Sequence, residues 1–286
     1  MSEPRYPYVH VDVTPEQVDE IGGLLFELGA EGVEERDAGT LAKSTASDKV
    51  TLVAAFATKS EADEAIAELE TSGLPARYEE IVGDAWRDAW KEHYRPFAIA
   101  PGVVVRPPWE TYDAKPGEHV LELEPGRAFG TGLHETTRLV ARAIREHEKE
   151  LAGVTVLDIG CGSGVLALIA LVLGAKDAVA VDIDAESIEV TKENAQRNQL
   201  AARIDASTTD LADVKLVSPF VLSNIEAKVL IPLASEISRH VAPGGLLFLS
   251  GVLVPQRDDV RAAYSEFELV SSPELGEWTL LALRKS

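Results

Sequence analysis

The chain has 286 residues, and 27 Lys and Arg stand against 48 Asp and Glu, which gives a formal net charge of −21 at pH 7. Its content of 45% hydrophobic and 26% charged residues is typical of a globular protein and excludes a disordered chain. A single cysteine excludes a disulfide framework, and the negative charge disfavours a nucleic-acid backbone as the main partner. We expect a cytoplasmic protein with no membrane partner, because no export signal or membrane-length apolar run is visible.

The first 83 residues show the periodicity of a small α/β unit. Thr14 and Pro15 begin a helix that Gly29 ends, and Ser60 is the predicted cap of a second helix. The order is β-α-β-β-α-β, which is typical of a ferredoxin-like domain with both helices on one face of its sheet. The predicted strands are 9–13, 32–35, 50–56 and 76–81, and the predicted helices are 15–28 and 60–70.

This unit is also the most acidic part of the chain. It carries six basic and 18 acidic residues, so more than half of the net charge lies in less than a third of the sequence. One interpretation is an acidic surface that serves only solubility. The other is an electrostatic docking face for a basic protein.

Residues 84–96 predict a helical linker. Trp86 and Trp90 are four residues apart and Tyr94 extends their stripe before Pro96 stops the helix. A tryptophan stripe at this spacing is more typical of packing than of ligand binding.

From residue 97 onward the chain predicts a larger α/β domain. Alternating apolar strands and amphipathic helices favour a mostly parallel sheet covered on both faces. The last two strands have only a short connection, so at least one should run antiparallel. The predicted helices are 136–150, 164–173, 185–198, 227–241 and 256–264, and the predicted strands are 118–124, 154–159, 178–182, 203–207, 219–223, 245–250, 266–271 and 277–284.

A glycine loop follows the strand at 154–159. Gly160, Gly162 and Gly164 allow a tight turn and a close backbone approach to a ligand. A dinucleotide fingerprint needs a further glycine where this chain has Val165, so the pattern disfavours NAD. Asp158 would repel a pyrophosphate but would hold an ammonium group, which favours S-adenosylmethionine.

Two more strand ends carry polar residues. Asp182 can accept hydrogen bonds from a ribose diol, and Asp184 follows on the same loop. Asn224 ends a later strand at the edge where open α/β sheets place ligands, and it could accept from a substrate amine or bond the cofactor. The alternative is that the glycine loop serves only as a turn.

The segment 124–137, EPGRAFGTGLHETT, resembles a motif of the bacterial methyltransferases of ribosomal protein L11. The chain is similar to that family again in DIGCGSG at 158–164, DID at 182–184 and NIEA at 224–227. The similarity spans nearly the whole chain, and the 124–137 segment is its most specific part.

The resemblance implies a Rossmann-like, seven-stranded class I methyltransferase domain over residues 97–286, preceded by a ferredoxin-like substrate-recognition domain over 1–83. It implies S-adenosylmethionine-dependent methylation of lysine ε-amines and of the N-terminal α-amine of L11, free or on the ribosome. The family's cofactor contacts carry over to Thr137, Gly160, Asp182 and Asn224, which match the family in residue type. No catalytic base and no metal site are assigned.

Two residues depart from the family pattern. Glu135 replaces a proline before the threonine pair, and an acid in the first turn of a helix should leave cofactor binding intact. Glu226 replaces an apolar residue and could add negative charge beside the target amine. His134 is a candidate base, but we favour a role in shaping its loop. Cys161 is predicted to be a packing residue rather than a nucleophile.

Three other functions stay open at this point. A related lysine methyltransferase could act on another protein. An NAD-dependent oxidoreductase would bind NADH rather than S-adenosylhomocysteine. An acidic ribosome-binding module without catalysis would bind the cofactor and turn over no ribosomal substrate.

Overall fold

The computed structural model describes residues 5–36, 50–82, 94–130 and 132–286. The chain divides into two compact units, residues 1–94 and 95–286. Most of the predicted linker, residues 84–93, lies outside the described residues. Within the described ranges, no helix is both long and apolar enough to cross a bilayer.

The first unit is an antiparallel sheet with two helices. Its sheet order is β2-β3-β1-β4, which is the ferredoxin-like arrangement predicted from the sequence. Val9, Val11 and Leu25 are fully buried between the sheet and the helices. The elements are β1 (Arg5–Val13), α1 (Val18–Glu27), β2 (Gly32–Arg36), β3 (Val50–Ala55), α2 (Lys59–Thr71) and β4 (Ala76–Val82).

The cap of α2 differs from the predicted one. Thr58, not Ser60, is the N-cap, and its hydroxyl accepts from the Glu61 backbone N–H at 3.3 Å. The Glu61 carboxylate accepts in turn from the Thr58 backbone N–H at 3.0 Å. This reciprocal capping box satisfies two N–H groups at once, which a cap at Ser60 could not do.

The second unit is built on one large twisted sheet. Its strands are β8 (Thr155–Ile159), β9 (Asp177–Val181), β10 (Ile204–Ser207), β11 (Ser218–Asn224), β12 (Val241–Leu253), β13 (Phe267–Ser271), β14 (Glu274–Leu275) and β15 (Trp278–Lys285). The order is β10-β9-β8-β11-β12-β15-β13, with β14 paired to β15. The strands β8 to β12 are parallel, and β15 runs antiparallel to both of its neighbours in that order, as predicted for the last pair. This seven-strand path confirms the Rossmann-like class I methyltransferase fold.

Helices cover this sheet, and a smaller sheet lies in the same unit. The helices are α3 (Glu135–Glu146), α4 (Glu148–Leu151), α5 (Val165–Val172), α6 (Ala185–Arg197), α7 (Ala227–Leu230), α8 (Ala234–Arg239) and α9 (Arg257–Ala263). The smaller sheet is β5 (Phe97–Ala100), β6 (Val103–Arg106) and β7 (His119–Glu122). The apolar helix α5 is almost wholly buried, which explains its uniformly hydrophobic sequence.

The strand order places the candidate site. The chain leaves β8 toward β9 on one side and returns to β11 on the other, so β8 and β11 flank the point where the strand order reverses. Open α/β sheets bind ligands outside the carboxyl ends of their strands at such a point. The glycine loop and Asp182 follow strands that end at this edge, and Asn224 is the last residue of such a strand.

In the first unit, β1 begins at Arg5 rather than at residue 9, and α1 begins at Val18 rather than at residue 15. Three predicted elements of the second unit differ more from the structure. The helix predicted over 227–241 is two short helices, because Pro232 lies between them and cannot continue a helix. The helix predicted over 136–150 breaks at His147. The strand predicted over 245–250 extends from Val241 to Leu253, with an irregularity between the Ser218–Val241 and Phe220–Leu246 pairs, where β12 is longer than β11.

Candidate active site

The glycine loop takes a backbone path that other residues would not follow. Gly160 and Gly162 have φ of +71° and +53°. A Cβ atom on Gly160 would lie 2.4 Å from the Ile225 side chain, and one on Gly162 would lie 2.5 Å from the Phe129 carbonyl oxygen. Glycine is therefore required both by the conformation and by the close packing of neighbouring chain.

The 124–137 segment packs directly on this loop. The Ser163 backbone N–H donates to the Phe129 carbonyl at 2.8 Å, and the Ser163 hydroxyl donates to the Gly130 carbonyl at 2.6 Å. The two motifs, about 30 residues apart in sequence, thus form one wall. Thr131, within this segment, lies outside the described residues.

Asp182 lies beside the loop, at the end of β9. One carboxylate oxygen accepts from the Gly162 backbone N–H at 2.9 Å and the other from the Asp184 N–H at 3.0 Å. Each oxygen has a second lone pair, so the carboxylate can also accept from two hydroxyls of a ligand. Asp184 instead caps α6, where the Ser187 hydroxyl and the Glu186 N–H hold the pKa of its carboxyl below the ordinary value.

Asp158 lies behind the loop. Its side chain is buried, and one oxygen accepts from the Ala167 backbone N–H at 3.2 Å inside α5. The pKa of this carboxyl is raised to about 7, chiefly by burial; the Ala167 N–H opposes the rise and the charge of Asp182 adds to it. Asp158 is not among the residues that line the cavity, and its other carboxylate oxygen has no hydrogen-bond partner among the described residues, so its contact with a ligand's ammonium group stays a prediction.

Asn224 ends β11 and is 9% exposed. Its side-chain N–H donates to the Thr137 hydroxyl at 3.4 Å, whereas its Oδ1 atom has no hydrogen-bond partner among the described residues. A buried amide oxygen is costly to leave unpaired, so this acceptor is suited to a ligand donor. Thr137 is fully buried and reaches the site only through Asn224.

These strand ends surround a cavity of about 660 Å³, a volume typical of small-molecule sites. Of the four predicted cofactor-binding residues, Gly160, Asp182 and Asn224 line it and Thr137 does not. Ile183, which lies between Asp182 and Asp184 in sequence, is 99% exposed at the edge of the cavity. Other lining residues include Thr209, Asp210, Leu211 and Val229.

An aromatic wall, which we define as Phe129, His134 and Trp278, borders the same cavity. The His134 ring lies edge-on to Trp278, with centroids 5.1 Å apart, and 5.7 Å from the Phe129 ring. Phe129 is 60% exposed. Phe129 and Trp278 were not predicted as site residues, since nothing local in a lone tryptophan 149 residues downstream of Phe129 indicates that it meets this loop.

His134 is held as the N-cap of α3. Its Nδ1 accepts from the Thr136 backbone N–H at 3.3 Å and lies 2.8 Å from the Thr136 hydroxyl oxygen. This agrees with the predicted loop-shaping role, because a base acting through Nδ1 would have to give up the cap.

The two remaining residues of interest differ in exposure. Glu226, at the mouth of the cavity, lies 2.5 Å from the Lys228 ammonium, and both side chains are exposed. Cys161 is buried with its thiol 3.6 Å from the Thr191 hydroxyl, and burial raises the pKa of the thiol. A neutral buried thiol acts as a packing group.

Comparison with known proteins identifies the family. The family model described as ribosomal protein L11 methyltransferase matches residues 5–286. The chain belongs to this family. It is 57% identical to the ribosomal protein L11 methyltransferase of Sorangium cellulosum over 266 residues, covering 92% of this chain and 84% of that one. It is 34% identical to that of Geobacter metallireducens, covering 96% of each.

A solved structure is similar as well. The ribosomal protein L11 methylase of Lactobacillus delbrueckii subsp. bulgaricus is 32% identical, with a TM-score of 0.63, covering 68% of this chain and all of the other. The chain is accordingly a methyltransferase, and S-adenosylmethionine is its methyl donor. The cavity fits this group: it offers a glycine cradle, a carboxylate for a ribose and an exposed isoleucine for an apolar ring.

Proposed function

We propose that this chain methylates lysine ε-amines and the N-terminal α-amine of ribosomal protein L11. The observation that carries the proposal is the Oδ1 atom of Asn224, a buried acceptor without a protein partner in the wall of the donor cavity. Membership in the family supports the substrate. A carboxamide at this position is suited to an N–H donor, as an amine is.

We assign the donor to four residues. Gly160 would let the backbone approach it closely, Asp182 would accept from its ribose, and Asn224 would border its reactive end, with Thr137 holding Asn224. When bound, S-adenosylmethionine supplies a methyl group on a positively charged sulfur.

Asn224 would orient the target amine. When an amine nitrogen donates one N–H to Oδ1, the direction of its lone pair is restricted. Orienting a reacting group in this way accounts for much of an enzyme's rate enhancement. The amine must first lose a proton. Transfer from water into a largely apolar cavity lowers the pKa of an ammonium group, so the site does not require a dedicated base.

The aromatic wall would receive the rest of the target side chain. Lysine methylenes pack on aromatic rings, and an ammonium group is attracted to their faces. The exposed ring of Phe129 and the edge-on pair of His134 and Trp278 offer both kinds of surface.

We assign substrate recognition to residues 1–83, the linker to 84–96 and catalysis to 97–286. The excess of acidic residues in the first 83 supports docking of a basic protein such as L11, free or on the ribosome, by complementary charge. The partner would be the protein component alone, without direct nucleic-acid or membrane contact, and the enzyme would act in the cytoplasm where ribosomes are.

Steady-state methylation of purified L11 by Asn224 variants tests the proposal. Asn224→Leu keeps the approximate size and removes the acceptor, and it should lower kcat/KM by about 10²-fold. Asn224→Asp keeps an acceptor oxygen and should lose less. Equal rates for Asn224→Leu and wild type would contradict the role of this oxygen. Methylation of another protein, but not of L11, by wild type would favour a related lysine methyltransferase.

A further inference from the structure

Two buried side chains of α6 hold the glycine loop by consecutive backbone carbonyls. The Thr191 hydroxyl donates to the Gly162 carbonyl oxygen at 2.8 Å, and the Thr191 side chain is fully buried. A carbonyl oxygen only accepts hydrogen bonds, so the hydroxyl is the hydrogen-bond donor of this pair. Asn194, about one turn further along the helix, donates from its side-chain N–H to the Ser163 carbonyl at 2.9 Å. Both carbonyls therefore point toward α6.

The peptide between Gly162 and Ser163 is held at both of its polar ends. Its carbonyl accepts from Thr191, and its N–H donates to the Phe129 carbonyl at 2.8 Å. The preceding peptide carries the Gly162 N–H, which donates to Asp182 at 2.9 Å. Gly162, Phe129 and Asp182 all line the cavity. Thr191 does not line it, but its hydroxyl acts directly on a residue that does.

The loop would turn easily without this hydroxyl. Gly162 has no Cβ, so its backbone has access to more conformations than that of any other residue. A buried carbonyl that lacks a hydrogen-bond donor is costly, and the peptide of a Thr191 variant without the hydroxyl would rotate in the free protein until its carbonyl found another partner. A ligand that needs the original orientation would then bind only the fraction of molecules that keep it, and its apparent affinity would fall by that fraction.

We propose that Thr191 is a positioning residue for S-adenosylmethionine: its hydroxyl fixes the orientation of the Gly162–Ser163 peptide and so keeps the glycine loop in the conformation that binds the methyl donor. The inference rests on the proposed function in assigning this cavity and its glycine loop to the methyl donor. The Thr191 side chain also accounts for the third glycine of the loop, because a Cβ on Gly164 would lie 2.8 Å from its methyl group.

Calorimetry with S-adenosylhomocysteine tests the proposal in two variants. Thr191→Val removes the hydroxyl and keeps the branched shape of the side chain, whereas Thr191→Ser keeps the hydroxyl and removes the methyl group. We expect the Kd to rise about tenfold in Thr191→Val and to stay within about threefold of wild type in Thr191→Ser. In methylation of L11, Thr191→Val should raise the KM for S-adenosylmethionine by a similar factor and change neither kcat nor the KM for L11.

Ser218→Ala is the matched control for the loss of a buried hydrogen bond. The Ser218 hydroxyl is also buried and donates to a backbone carbonyl, that of Thr155, at 2.7 Å. This bond joins the first residues of β11 and β8, at the edge of the sheet opposite to the cavity. The Kd of Ser218→Ala should therefore equal that of wild type.

Three results would overturn the proposal. An equal rise of the Kd in Ser218→Ala and Thr191→Val would show a general effect of a lost buried hydrogen bond. An unchanged Kd in folded Thr191→Val would remove the positioning role and leave the methyl-donor site standing. Absence of binding by wild type would overturn the methyl-donor site and the positioning role together.

Amide exchange of wild type covers the case in which Thr191→Val does not fold. The proposal requires the Gly162–Ser163 peptide to be oriented before the methyl donor binds. The Ser163 amide, referred to the amides of β11, should therefore be protected to about the same extent with and without S-adenosylhomocysteine. Protection of Ser163 that appears only with the ligand would overturn the proposal.

Discussion

Two contributions should lower the stability of the protein when Gly162 is replaced by alanine. The first is the left-handed backbone, at φ +53°, which costs a residue with a Cβ about 1–2 kcal/mol. The second is the carbonyl oxygen of Phe129, which would lie 2.5 Å from the new Cβ where ordinary contact begins at 3.4 Å. That carbonyl accepts from the Ser163 N–H at 2.8 Å, so it cannot move away without weakening this bond.

Gly153→Ala supplies the matched control for the first cost. Gly153 has φ +76° in the same unit, and a Cβ there would meet nothing within 4 Å. Both variants carry the cost of the backbone conformation, and only Gly162→Ala adds overpacking of about 1–3 kcal/mol and the loss of a hydrogen bond of about 1 kcal/mol. We expect Gly162→Ala to be less stable than Gly153→Ala by about 2–4 kcal/mol.

Amide exchange of β8 and β11 measures the stability of this unit alone. Calorimetry with S-adenosylhomocysteine measures whether the loop still binds its ligand, and we expect binding to be lost in Gly162→Ala and kept in Gly153→Ala. Equal destabilisation of the two variants with binding intact in both would refute the close approach of Phe129 to the loop as a requirement of the site.

Three further predictions concern single side chains. Glu226→Leu should change the KM for L11 by less than about threefold, because exposed pairs such as that with Lys228 are weak; a larger rise would support the role of Glu226 in holding the amine. His134→Asn keeps an N-cap acceptor and removes the ring, so a fall in kcat beyond about 10²-fold would show that the ring is a base after all. In the folded protein the pKa of Asp158 is raised to about 7, so the folded state binds this proton more tightly than the unfolded state does. The free energy of unfolding should therefore fall as the pH rises from about 4 to about 7. Urea unfolding should show Asp158→Asn gaining stability relative to wild type across that interval, and a constant difference would contradict the buried, protonated carboxyl.

The sequence predicts those parts of the site that depend on local pattern. The glycine loop and Asp182 each follow a strand and Asn224 ends one, and parallel strands bring their carboxyl ends to one edge of the sheet. Their convergence around one cavity therefore follows from strand order alone. Thr137 matches the family motif, but its side chain is fully buried and does not line the cavity.

Features that depend on tertiary packing could not be predicted from the sequence. Trp278 meets His134 because α3, which His134 caps, packs against β15, and no local signal in either segment indicates that contact. No local pattern indicates that one carboxylate oxygen of Asp158 accepts from a helix N–H behind the glycine loop. The split of the predicted 227–241 helix was foreseeable, since Pro232 lies in its middle.

Intact-protein mass spectrometry of unmethylated L11, incubated with this chain and S-adenosylmethionine, tests the central claim most directly. We predict mass steps of one CH2 group each, which peptide analysis places on lysine side chains and on the N-terminal amine, and which Asn224→Leu makes far more slowly. An unchanged L11 mass, in a preparation that binds S-adenosylhomocysteine by calorimetry, would contradict the assignment of L11 as substrate.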